Sequence, residues 1–174
     1  MNKIFKSALA AAVLIALSSL GGTAYAATAT SDLPVSASVT ATCTIDASGG
    51  LAFGAYDPVV TNASTDLTGQ GTIDTTCTNG ASVTVTLGQG ANADTGSSDA
   101  APVRRMLSGA SDYLSYQLYS DSGRSTVWGN TAGTGAPVTG TGTVVSTTVY
   151  GLITAGQNVP SGSYSDTVVA TVTF

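Results

Sequence analysis

Short runs in which apolar and small polar residues alternate recur through most of the chain. Between Ser82 and Leu87, Val83, Val85 and Leu87 fall on one side and Ser82, Thr84 and Thr86 on the other. Leu114, Tyr116 and Leu118 alternate in the same way with Ser115 and Gln117. A period of two, carried by Val, Thr and Tyr and bounded by Gly, Asn, Asp and Ser, predicts strands joined by turns. Further strands are expected over Gly71–Cys77, Thr143–Gly151 and Ser163–Phe174, with weaker ones at Thr42–Asp46, Leu51–Phe53 and Val103–Leu107. Gly88–Ala100 and the Gly/Thr-rich stretch Gly129–Gly142 read as loops. About seven strands and hardly any helical pattern predict an all-β sandwich of two antiparallel sheets.

The beginning of the chain breaks this rhythm. Lys3 and Lys6 precede a continuous apolar run, Ala8–Leu17, and Ala24-Tyr25-Ala26 gives a small-x-small cleavage pattern. Residues 1–26 therefore read as a secretory signal peptide, too short to span a membrane as a helix. The mature chain is expected to start near Ala27 and to hold roughly 150 residues, enough for one core.

Ala27–Thr42 then alternates over its whole length. Leu33, Val35, Ala37 and Val39 fall on one side and Ser36, Ser38 and Thr40 on the other. Extended, the segment would reach roughly 50 Å, longer than an ordinary strand. Pro34 cannot donate to a ladder, so its position must be an edge or unpaired. At the other end, Tyr164, Asp166, Val168, Ala170, Val172 and Phe174 form one face of a long final strand on which the sequence stops. A leading arm with an apolar stripe and a last strand without a successor fit strand donation between copies. They fit equally well an arm that folds back into its own sheet.

Charge narrows the functional classes. The chain has 10 acidic and 5 basic residues and no His. Without the leader, only Arg104, Arg105 and Arg124 remain basic, and the formal net charge is about −7. Such a surface lacks the electrostatic footprint of a nucleic-acid binder. A Ser nucleophile would have neither a His nor a mature-chain Lys as its base, so no enzymatic activity, cofactor or metal is expected. Scattered Asp residues have no EF-hand spacing. Cys43 and Cys77, exported to an oxidising compartment, most simply form one disulfide. Two thiolates alone would leave a metal incompletely coordinated. Arg104 and Arg105 read as a solvated strand end or as ion-pair partners of Asp. Trp128 reads as a packing residue, Tyr113, Tyr116 and Tyr119 as core and face residues, and Asn62-Ala63-Ser64 as a chance sequon.

Several local motifs, in order, resemble one family. They are Cys43, Phe53-Gly54-Ala55-Tyr56-Asp57, Cys77-Thr78-Asn79-Gly80, Arg105-Met106 and Leu114-Ser115-Tyr116-Gln117-Leu118-Tyr119. Trp128-Gly129, Tyr150-Gly151, Pro160 to Val168 and the aromatic C-terminus complete the set. The chain resembles the spore coat protein U domain family, which includes subunits of archaic chaperone–usher pili. The resemblance implies an incomplete immunoglobulin-like sandwich at 43–174, completed by a donated N-terminal strand. The donor would lie in 27–42, with Leu33, Val35, Ala37 and Val39 as plugs. The acceptor groove would be flanked by Tyr164, Val168, Ala170, Val172 and Phe174, the Phe174 carboxylate serving as an anchor for basic chaperone residues. It further implies a periplasmic chaperone, an outer-membrane usher and identical or related subunits as partners, with a surface pilus serving attachment or biofilm formation as the product. A secreted spore-coat or matrix protein without a regular pilus is the alternative, and a carbohydrate-binding adhesin module the third.

Overall fold

The computed structural model describes residues 25–174, so nearly all of the expected leader lies outside the described residues. Two compact units divide at Ala37 and Ser38. In the first, residues 25–37 carry no regular secondary structure and are exposed. The second holds eight strands: β1 (Cys43–Asp46), β2 (Leu67–Cys77), β3 (Ser82–Leu87), β4 (Arg104–Ser108), β5 (Asp112–Tyr119), β6 (Ala136–Thr139), β7 (Val144–Ile153) and β8 (Ala170–Thr173). No helix occurs among the described residues.

The strands form two sheets, a five-stranded one in the order β1-β2-β7-β5-β4 and a three-stranded one in the order β6-β3-β8. Every strand pair is antiparallel. Alternation places Val83, Val85 and Leu87 of β3 inside, facing Ile73 and Cys77 of β2, Leu114, Tyr116 and Leu118 of β5, and Val149 and Ile153 of β7. Side-chain period and sheet pleat coincide, so one face of each sheet becomes core. Thr75 and Thr86 are buried within this apolar set, and each hydroxyl is satisfied, Thr75 by the Val145 carbonyl and Thr86 by the Asn130 side chain.

Three expectations are corrected. The stretch Gly129–Gly142 is not all loop, since β6 lies inside it and pairs with β3 from Ser82↔Thr139 to Val85↔Ala136. Its pattern was masked because only Ala136 and Val138 point inward, and Pro137 stands between them. Leu51–Phe53 makes a single bridge, Leu51↔Gly71, and no ladder. The expected strand Ser163–Phe174 is regular only at Ala170–Thr173. Upstream it is held by one bridge, Leu107↔Ser165, because its neighbour changes there from β4 to β3.

Arg104 departs furthest from expectation. It is 1% exposed, neither solvated nor in an ion pair with Asp. Its guanidinium donates to the carbonyls of Leu87 (3.0 Å), Gly88 (2.7 Å) and Trp128 (2.8 Å) and to Oε1 of Gln117 (2.6 Å). The planar fork thus closes the corner where β3, β4 and the Trp128 loop meet. Burial lowers its pKa to about 10, which leaves it charged at neutral pH. Beside it, Trp128 is fully buried and donates its Nε1–H to the Val85 carbonyl at 2.8 Å. Arg105 does behave as read, pairing with Asp94 at 2.9 Å and lying over the Tyr113 ring. Asn62 is buried with both ends of its amide bonded, to the Asp57 N–H and the Thr65 carbonyl, so the sequon is a turn-building residue.

Cys43 and Cys77 form a disulfide between β1 and β2, at directly paired positions of the ladder. Beyond it, the Thr78 N–H donates to the Thr42 carbonyl and the Thr42 N–H to Thr78 Oγ1, both at 3.0 Å. These bonds fix where the chain leaves the sandwich.

Two outcomes follow from these contacts. Replacing both cysteines by Ser should lower unfolding free energy by about 4 kcal/mol, read from denaturant titrations. An unchanged midpoint would show that the bridge adds nothing to stability. Arg104→Met should cost about 3 kcal/mol or more, because three buried carbonyls lose their donor. A loss below about 0.5 kcal/mol would mean that water replaces the guanidinium.

Candidate functional site

A five-stranded sheet cannot be covered by three strands. The uncovered part of its inner face forms the floor of a cleft of about 1130 Å³, lined by Ile73, Leu114, Tyr116, Leu118, Val149 and Ile153. One wall is the segment after β1, including Leu51, Phe53 and Tyr56. The other is the segment before β8, including Val159, Tyr164, Asp166 and Val168, with Ala170 at the start of β8. Both walls continue from strands that lie at the edges of their sheets, β1 and β8.

Glycines let the first wall settle on the floor. A Cβ at Gly69 or Gly151 would press on Leu51 and Phe53, and one at Gly71 would overlap the Gly50 backbone. Leu51 and Phe53 therefore sit where side chains of β2 and β7 would otherwise stand, and Phe53 meets Tyr116 edge-on at 6.0 Å between ring centres. Neither side chain is fully buried. The other wall is suspended by few bonds. Leu107 and Ser165 exchange backbone hydrogen bonds, the Ala91 N–H reaches the Thr167 carbonyl, and the Gly88 N–H reaches that of Val169.

A polar group crosses this second wall. The Asp166 carboxylate accepts from the Tyr116 hydroxyl at 2.6 Å, the Ala91 N–H at 2.9 Å and the Asn92 side-chain amide at 3.0 Å. Burial and the bond to Asp166 both push the Tyr116 phenol above its ordinary range, so it stays protonated and donates. Gly90, at φ +91°, leaves room for this carboxylate, on which a Cβ would fall. Asp166 thereby ties the last segment of the chain to the Gly88–Ala100 loop.

The remaining sheet edges are protected. Pro137 interrupts the outer strand β6, and β4 is bridged by Ser165. Edge strands without such a guard invite pairing, and here β1 and β8 lead into the two walls of an apolar cleft. The chemistry on offer is burial of apolar surface. Among the described residues there is no group of three or more His, Cys, Asp or Glu that could hold a metal.

Of the residues expected to form the acceptor, Tyr164, Val168 and Ala170 line the cleft. Val172 packs on the core outside it, and Phe174 is 60% exposed. Of the plug residues, Leu33, Val35 and Val39 are each about 85% exposed or more, and Ala37 is exposed as well. Leu51, Phe53, Val159 and Met106 line the cleft without having been expected there. Leu51 and Phe53 did carry a short alternation, but their partners are glycines, whose facing cannot be read from hydrophobicity. Asp166 stood in the alternating face as its one charged position, which was the available sign of a polar tie.

The model of the Spore Coat Protein U domain matches residues 29–171. Protein U of Myxococcus xanthus is 49% identical over 180 residues, with both chains covered completely. Among solved structures, the chain is similar to one in the chaperone–tip adhesion subunit pre-assembly complex from archaic chaperone–usher Csu pili of Acinetobacter baumannii. That match has a TM-score of 0.51 and 21% identity and covers 78% of this chain, which spans 40% of the solved chain. The fold of an archaic pilus subunit and a family match over nearly the whole described chain agree, and the chain belongs to the spore coat protein U domain family.

Proposed function

We propose that the protein is a structural subunit of a surface fibre or coat, assembled when the 27–42 arm of one copy inserts into the cleft of the next. The open apolar cleft between the two segments that lead from the sheet edges β1 and β8 carries this reading. The exposed alternation of Leu33, Val35, Ala37 and Val39 supplies an occupant of matching chemistry.

Each buried Val or Leu of the arm contributes about 1.5–3 kcal/mol. Ordering the arm costs about 1–2 kcal/mol per residue, which over 27–42 exceeds that gain, so arm burial alone does not suffice. Ladder hydrogen bonds to the cleft walls, together with the covering of Leu51, Phe53, Tyr164 and Val168, tip the balance. Arm and cleft are different surfaces, so the contact is head-to-tail and propagates without closing. Before a neighbour arrives, the same cleft suits a strand lent by a periplasmic chaperone, and an outer-membrane usher then receives the subunit. The solved relative, a chaperone–subunit pre-assembly complex, supports that order of partners. The product would lie on the cell surface and serve attachment or biofilm formation.

A coat without regular filaments is the second reading. It is favoured by the family's description and by the 49% identity to Protein U. Both products use the same donated strand and differ only in how chains of subunits associate sideways.

Deletion of 27–42 should leave a folded, exported protein that forms no polymers by size-exclusion chromatography, whereas polymers like those of the intact protein would refute donation by this arm. Gentle detergent treatment of intact polymers should give a ladder of oligomers that collapses to monomer only on strong heating, since slow unfolding holds them together. A single monomer band without heating would count against strand insertion. Electron microscopy of the producing cells separates the products, showing filaments for a fibre and an amorphous layer for a coat.

A further inference from the structure

The turn that follows the first wall of the cleft is built with unusual firmness. Asp57 Oδ1 accepts the N–H groups of both Val59 and Val60 at 3.0 Å. These bonds, that of Val60 foremost, hold its carboxyl below the ordinary carboxylate range. Asn62 closes the turn with its N–H on the Asp57 carbonyl at 2.8 Å and its Oδ1 on the Asp57 N–H at 2.9 Å. Its own carbonyl accepts from the Gly156 N–H at 2.8 Å, which fastens the turn to the loop after β7. On this fixed frame Val59 is 80% and Val60 72% exposed. Two adjacent β-branched apolar side chains, held out to solvent by a buried amide, form a patch of the kind that marks contact sites.

Its place decides the partner. The cleft lining extends from the Val59 and Val159 rim to Ala170 and no further, and beyond Ala170 β1 and β8 approach one another. The cleft is thus open at the Val59 rim and narrow at the other end. An inserted arm continues at its C-terminal end into a folded body, which cannot enter and must stay at the open rim. The arm would therefore run antiparallel to Tyr164–Ala170, with Leu33 deep and Val39 at the mouth. From Val39 to Cys43 the chain spans at most about 14 Å when fully extended. The donating body is consequently held within that distance of Val59.

We propose that the Asp57–Asn62 turn, through Val59 and Val60, is the seat for the body of the donating copy, giving successive copies a body-to-body contact besides the inserted arm. This rests on strand donation into the cleft and adds a second interface to it. A rigid seat limits the swing of one copy on the next, which the few residues between arm and sandwich would otherwise allow.

The test compares the intact protein with the full-length variant Val60→Asp and with the milder Val60→Thr, since Val60 is exposed and lies outside the cleft lining. Two readouts are needed, capture of a fluorescent peptide of sequence 27–42 during refolding and the half-life of polymers in denaturant. Both variants should capture the peptide as the intact protein does. Polymers of the Asp variant should dissociate at least about tenfold faster, with the Thr variant between, as loss of apolar burial requires. Polymer half-lives equal to those of the intact protein, with normal capture, would overturn the seat while leaving strand donation standing. Failure of the intact protein itself to capture the peptide would overturn strand donation, and the seat with it.

Discussion

The organising constraint is an imbalance between two sheets. Five strands present an inner face that three strands cannot cover, and the Leu51–Phe53 and Val159–Val168 segments cover only its margins. What remains is apolar surface bounded by segments that lead from the sheet edges β1 and β8. In water that surface is a standing free-energy cost, and filling it with a strand recovers both hydrophobic burial and ladder hydrogen bonds. Under the proposed function, the incomplete core is also what drives association.

An open core needs reinforcement elsewhere. The disulfide and the Thr42–Thr78 bonds secure β1, which would otherwise be an edge strand held by β2 alone. At the opposite side, Arg104 replaces missing packing with hydrogen bonds to Leu87, Gly88, Trp128 and Gln117. The Tyr116–Asp166 bond then holds the last segment in place although it has hardly any ladder there. Polar groups inside a sandwich are expensive unless fully bonded, and no buried side-chain polar atom among the described residues lacks a partner. The polar network and the open cleft adjoin at Asp166, which shapes the wall against which an arm would pair.

Charge fits the same economy. Arg104, Arg105 and Arg124 all spend their guanidinium donors on backbone carbonyls, namely those of Leu87, Asn92 and Gly151 among others. These three Arg residues thus hold loops, and the Asp residues set the sign of the surface. A surface of one sign disfavours non-specific contact between copies.

Alternation along Ser82–Leu87, Asp112–Tyr119 and Gly71–Cys77 was enough to define strands, because side-chain direction repeats every two residues whatever the neighbours are. The expectation of export to an oxidising compartment, with only two cysteines in the sequence, made the bridge legible too. Strand β6 was hidden because a short edge strand with Pro137 and two inward side chains scarcely differs from a loop. Arg104 was read as exposed because charge predicts solvation until several carbonyls converge on one point, and convergence is a property of three dimensions. The alternation of the two ends of the chain left strand donation and a folded-back arm equally open. The cleft floor, the glycine-bedded Leu51 and Phe53, and the tie of Asp166 to Tyr116 depend on which strands become neighbours. Local periodicity therefore determined the elements and their inward faces, while the unequal division of strands between sheets, a long-range pairing outcome, decided where the core stays open.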